Sequence, residues 1–136
     1  MWVDLPLGDI ADRISILDLK ASRLADARAR AQCRDRRSEL VASWRDAGLP
    51  ELNEVSGWDR LSQVNADLWE VEDALRAMEA RGDFGPDFIE AARRVYRLND
   101  ERAALKRAID EALGSRWREW KSHGLADGTR PSVDAT

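Results

Sequence analysis

The chain has 136 residues, a net charge of −4 and a hydrophobic fraction of 43%, enough for one domain around a single core. The negative balance excludes a global attraction to nucleic acid or anionic lipid. Cys33 and His123 are the lone cysteine and histidine, which excludes an internal disulfide and argues against thiolate or histidine metal sites and a Ser-His-Asp triad. Charged residues reach 35%, which suits long helices with wetted outer faces, and isoleucine, valine and threonine are scarce, which disfavours a sheet.

Taken in order, Met1 to Leu7 carry Trp2, Val3, Leu5 and Leu7 around Pro6 and read as an arm packed on the body. Asp9 and Asp12 sit where a helix start prefers negative charge. Ile10, Ile14, Leu17, Ala21 and Leu24 then repeat at gaps of four and three, the seam of a first helix. From Ala25 to Arg37 the seam weakens and arginines crowd in, so the helix either continues with a solvated face, paired with Asp26, Asp35 and Glu39, or breaks. Helix resumes by Ser38 at the latest and stops at Gly48-Leu49-Pro50. Ser56 reads as the N-cap of a helix from about Gly57 to Arg81, with a seam of Leu61, Val64, Leu68, Val71, Leu75 and Met78. Gly82 to Pro86 form a tight connection that forces the next segment antiparallel. That segment, Pro86 to about Lys121, places Phe88, Ala91, Val95, Leu98, Arg102, Leu105, Ile109 and Ala112 on one seam. The expected domain spans residues 1–123, and 124–136, without apolar period, reads as a disordered tail. No apolar run approaches the ~18 residues of a membrane span, so a cytoplasmic protein is expected.

The blocks Gly8-Asp9-Ile10-Ala11-Asp12-Arg13-Ile14-Ser15-Ile16-Leu17-Asp18-Leu19-Lys20, Val64-Asn65-Ala66-Asp67-Leu68-Trp69-Glu70-Val71-Glu72-Asp73 and a third from Phe88 through Arg107 to near Lys121-Ser122 carry both apolar and polar positions of a pattern. On these blocks the chain resembles an uncharacterised family of short bacterial helical proteins, a domain of unknown function. The resemblance implies a helical fold and no particular activity.

The same blocks set polar residues beside the seams: Arg13, Asp18 and Lys20 on the first, Asn65, Trp69 and Glu72 on the middle, and Tyr96, Asn99, Arg102 and Lys106 on the last. A buried Arg102 needs a carboxylate, and Asp18 and Glu72 are the partners expected. Such a cluster is either a network that fixes helix register or an Arg/Lys-lined pocket for an anionic small molecule. Asp9 with Asp12 and Glu70 with Asp73 have the i, i+3 spacing of a Mg²⁺ pair, but chance yields such pairs in an acidic chain. Trp117 and Trp120, flanked by basic residues, are candidates for contact with another subunit or protein.

The expectation is an all-α fold, an antiparallel bundle of three to four long helices with coiled-coil-like seams, without metal or cofactor. Its expected role is a non-catalytic module that binds a protein partner or forms a homo-oligomer. The alternative is a small all-α enzyme or ligand-binding protein for an anionic small molecule; nucleic acid and membrane are not expected as partners.

Overall fold

Helix α1 (Leu7–Arg23) owes its start to a distant part of the chain. The computed structural model describes residues 5–126, with side chains through residue 114. Pro6 precedes α1 and offers no side-chain cap. The Leu7 N–H, one of the orphan donors of a first turn, instead donates to Asp110 Oδ1 at 2.9 Å. Met1–Asp4, and with them most of the expected arm, lie outside the described residues, and Leu5 is exposed.

The stretch after Leu24 resolves into a break. Leu24 is extended (ψ 141), and Asp26 opens α2 (Ala27–Asp46) by accepting from the Ala29 N–H at 2.9 Å. Arginines of α2 then finish α1. Arg30 Nη1 donates to the carbonyls of Leu24 (2.7 Å) and Ala25 (2.9 Å), and Arg34 to that of Ala21 (3.4 Å). Arg37 pairs with Asp18. The pairing expected with Asp26, Asp35 and Glu39 is therefore corrected: the break turns α2 back along α1, and the arginines meet its carbonyl end and its acid.

Gly48 (φ 74) turns the chain out of α2, and buried Trp44 donates its indole N–H to the Pro50 carbonyl at 2.7 Å. A 3₁₀ turn (Leu52–Glu54) follows, then α3 (Trp58–Arg81). Its N-cap is Gly57 (φ 93), not Ser56, and no side chain caps it. The positive φ explains the glycine; a Cβ there would meet Leu105 only at ordinary contact distance, 3.6 Å. At the far end the Asp83 N–H reaches the Met78 carbonyl at 2.9 Å and Gly82 N–H the Glu79 carbonyl at 3.1 Å, a glycine-terminated stop. Pro86 opens α4 (Pro86–Ala126), which passes the expected end near Lys121 and is about 60 Å long.

Long-range pairs fix the directions. Asp67 with Arg94 and Arg60 with Glu101 make α3 and α4 antiparallel. Leu7 with Asp110 and Asp12 with Arg102 make α1 antiparallel to α4. The described residues thus form an all-α, up-down-up-down bundle in which α1 packs against α2, α3 and α4. One apolar cluster joins Ala11, Ile14, Trp44, Leu52, Val55, Leu61, Ile109 and Leu113. A second joins Val64, Leu68, Val71 and Leu98 between α3 and α4. Along α4 the seam drifts from the expected line: Ala112 is exposed and Leu113 is buried, as 3.6 residues per turn requires of a straight helix. The tail beyond Ala126 and the side chains of Trp117 and Trp120 lie outside the described residues.

Gly8 sets how closely α1 meets α4, because a Cβ at this position would lie 2.0 Å from the Lys106 carbonyl oxygen. Gly8→Ala should lower stability by about 2 kcal/mol or more, since the clash with backbone exceeds alanine's gain in helix propensity. Gly114→Ala, where nothing lies within 4 Å of the added Cβ among the described residues, should be neutral or stabilising by up to about 1 kcal/mol. Urea unfolding of the two variants checks the contrast.

Candidate functional site

Between the two apolar clusters lies a belt of polar side chains. On α1 the residues Gly8, Asp12 and Ser15 follow one another at gaps of four and three, and all are buried. On α4 the seam step between Leu98 and Leu105 falls on Arg102. Its guanidinium grips Asp12 with both arms, Nε to Oδ1 at 3.0 Å and Nη2 to Oδ2 at 2.6 Å. From α3, Asn65 Nδ2 donates to Asp12 Oδ1 at 3.0 Å and to Ser15 Oγ at 3.1 Å. One turn along α4, Lys106 Nζ stands 2.8 Å from Asp9 and 3.9 Å from Asp12. Three helices therefore meet on one carboxylate whose side chain is 5% exposed.

Burial alone would raise the pKa of Asp12. The hydrogen bonds from Arg102 and Asn65 and the charges of Arg102 and Lys106 outweigh it and hold the carboxyl below its usual value. Arg102 is held protonated more firmly than usual, first by its hydrogen bond to Asp12, with the charges of Asp12, Glu72 and Asp9 adding to it against desolvation. A carboxylate with a lowered pKa and oxygens already bonded is a weak general base. The belt ties α1, α3 and α4 together through one carboxylate.

Of the polar residues singled out from sequence, Asn65, Arg102 and Lys106 converge here. Arg13, Lys20, Glu72, Tyr96 and Asn99 are exposed, and Trp69 is half-buried. The expected partners of Arg102, Asp18 and Glu72, are corrected to Asp12: Asp18 pairs with Arg37 across the α1–α2 hairpin, and Glu72 acts on Arg102 only through its charge at a distance. Asp9 and Asp12, weighed as a cation pair, share the ammonium of Lys106 instead. Sequence reasoning missed Asp12 and Ser15 as members of the belt. The available signal was the small and polar row Gly8, Asp12, Ser15 running beside the apolar one.

A cleft of about 430 Å³ lies elsewhere, between α2, the 3₁₀ turn and the start of α3, and neither Arg102 nor Lys106 lines it. Among the described residues no group of three or more His, Cys, Asp or Glu side chains is placed to hold a metal ion.

Residues 1–131 match the model of a family of unknown function (DUF6165), and the chain belongs to that family. No curated protein and no solved structure matches it.

The buried carboxylate gives two predictions. At neutral pH, Arg102→Leu should cost about 2–4 kcal/mol, because Asp12 stays buried without its main counter-charge. Adding Asp12→Asn should recover part of this, with a coupling of about 1–3 kcal/mol in a double-mutant cycle read by urea unfolding. Because the folded pKa of Asp12 is lowered, its contribution is complete above the ordinary aspartate range near pH 4. It is lost as pH falls through the folded value. The acid limb of the stability profile should therefore be shallower in Asp12→Asn than in the parent, as measured by thermal unfolding from pH 7 down to about pH 2.

Proposed function

We propose that the protein is a non-catalytic helical module that binds a protein partner or a second copy of itself. The observation that carries this reading is the set of large apolar side chains that the bundle leaves in water. Phe84 at the α3–α4 turn is 54% exposed, Ile89 56% and Tyr96, on the outer face of α4, 73%. Phe84 is not loosely presented: its ring stands edge-on to Phe88, with centroids 5.2 Å apart. Apolar groups displayed on one hairpin suit a contact surface. The polar belt supports the same reading from the other side, since Arg102 and Lys106 are already engaged by carboxylates of α1. No described helix is long and apolar enough to cross a membrane. Trp117 and Trp120, about 30 Å or more along α4 from these groups, are proposed as further contact residues.

Sedimentation velocity of the full chain tests self-association. The expected result is a concentration-dependent dimer or larger species whose dissociation constant rises at least about tenfold in Phe84→Ser with Ile89→Glu, with unchanged helical circular dichroism. A strict monomer, unaffected by these substitutions, together with a melting temperature raised by small anions in a thermal-shift panel, would turn the assignment toward the ligand-binding alternative.

A further inference from the structure

The cleft between α2 and the 3₁₀ turn has charged walls that balance. One wall carries Arg37 paired with Asp18 of α1. The other carries Arg45, which meets Glu51 fork to fork, Nε to Oε1 at 3.2 Å and Nη2 to Oε2 at 3.3 Å. Arg37 and Arg45 are eight positions apart on α2, about 12 Å along the axis, and both line the cleft. Val41 lies between them, and the neighbouring Ser38 and Ala42 are too small to fill the space. Trp58 adds an indole from the start of α3. Trp44 contributes only ring surface, because its N–H is taken by the Pro50 carbonyl.

Charge decides what fits. A simple anion entering this cleft meets a carboxylate beside each guanidinium, and a simple cation meets a guanidinium beside each carboxylate. A molecule with both charges can join both kinds of group at once, its carboxylate on an arginine and its ammonium on an acid. The existing pairs do not oppose this strongly. Their side chains are 61% and 55% exposed for Arg45 and Glu51, and 37% and 42% for Arg37 and Asp18. The Arg45–Glu51 pair, the wetter of the two, exchanges partners readily. The volume, about 430 Å³, falls in the range of small-molecule sites. An apolar group on the ligand would find Val41, Ala42 and the indole of Trp58.

We propose that this cleft binds a small zwitterion of the amino-acid or dipeptide class that carries an apolar side chain. The site is independent of the contact surface at the α3–α4 hairpin. Isothermal titration calorimetry of the full chain with leucyl-leucine tests it, alongside N-acetyl-leucyl-leucine, which lacks the ammonium, and leucyl-leucinamide, which lacks the carboxylate. The expected result is saturable binding of the free dipeptide, weakened at least about tenfold in each blocked form. Arg45→Met and Ser38→Leu, both at exposed positions of α2, should weaken it by a similar factor while circular dichroism stays unchanged. The proposal is overturned by no saturable heat up to about 10 mM dipeptide, by equal binding of either blocked form, or by binding that both substitutions leave intact. Sedimentation of the same samples keeps this result separate from the question of self-association.

Discussion

One buried carboxylate decides how three of the four helices sit. Asp12 is out of water, and an ionised carboxylate there is tolerable only with close donors. Arg102 supplies two of them from α4, and Asn65 supplies another from α3. A shift of α1 by one turn, about 5.4 Å, would withdraw Asp12 from both at once. The apolar clusters on either side have no such tooth, since leucine and valine faces tolerate small slides with modest loss. Gly8 is the other half of the device: α1 approaches the α4 backbone closely enough for a short aspartate to reach the guanidinium only where no Cβ intervenes.

The bundle holds its members by different means. The α3–α4 hairpin is joined by the apolar cluster around Val64, Leu68, Val71 and Leu98, and α1 enters through both apolar contact and the polar belt. Helix α2 contributes a single buried side chain, Trp44, with Leu40 and Val41 packed beside it. It is also kept in place by arginines on the carbonyl end of α1 and by the Arg37–Asp18 pair. Solvated ion pairs and carbonyl caps are individually weak. Local opening should therefore cost least at α2, which is also where the cleft lies.

What sequence made legible follows from this division. The regular seams of α1, α3 and α4 and the Gly82 to Pro86 connection are local features, so the helices and the hairpin could be read directly. Arg102 could be read as a misfit in an apolar row that required an acid. Which acid could not, because Asp12 and Asp18 on α1 and Glu72 on α3 are equivalent until the rotations of both helices about their axes are known. The break at Leu24 could be held open only as one of two alternatives, for a related reason. Leu24, Ala25 and Asp26 include neither glycine nor proline, and Asp26 could pass as a surface charge as well as a cap. Helix α2 gave a faint pattern because side-chain bonds to backbone, which have no sequence period, replace much of its apolar packing.

The bond from the Leu7 N–H to Asp110 spans 103 residues, and the grip of Arg102 on Asp12 spans 90. A ribosome delivers α1 and α2 long before the residues that complete them. Each hairpin can form from neighbours in sequence, but the first turn of α1 remains uncapped, and Asp12 uncompensated by Arg102, until most of α4 has emerged. The nascent N-terminal hairpin thus exposes an ionised aspartate where the finished protein has an interior. That keeps this face of α1 wet, and hence soluble, during the interval in which it has nothing to pack against.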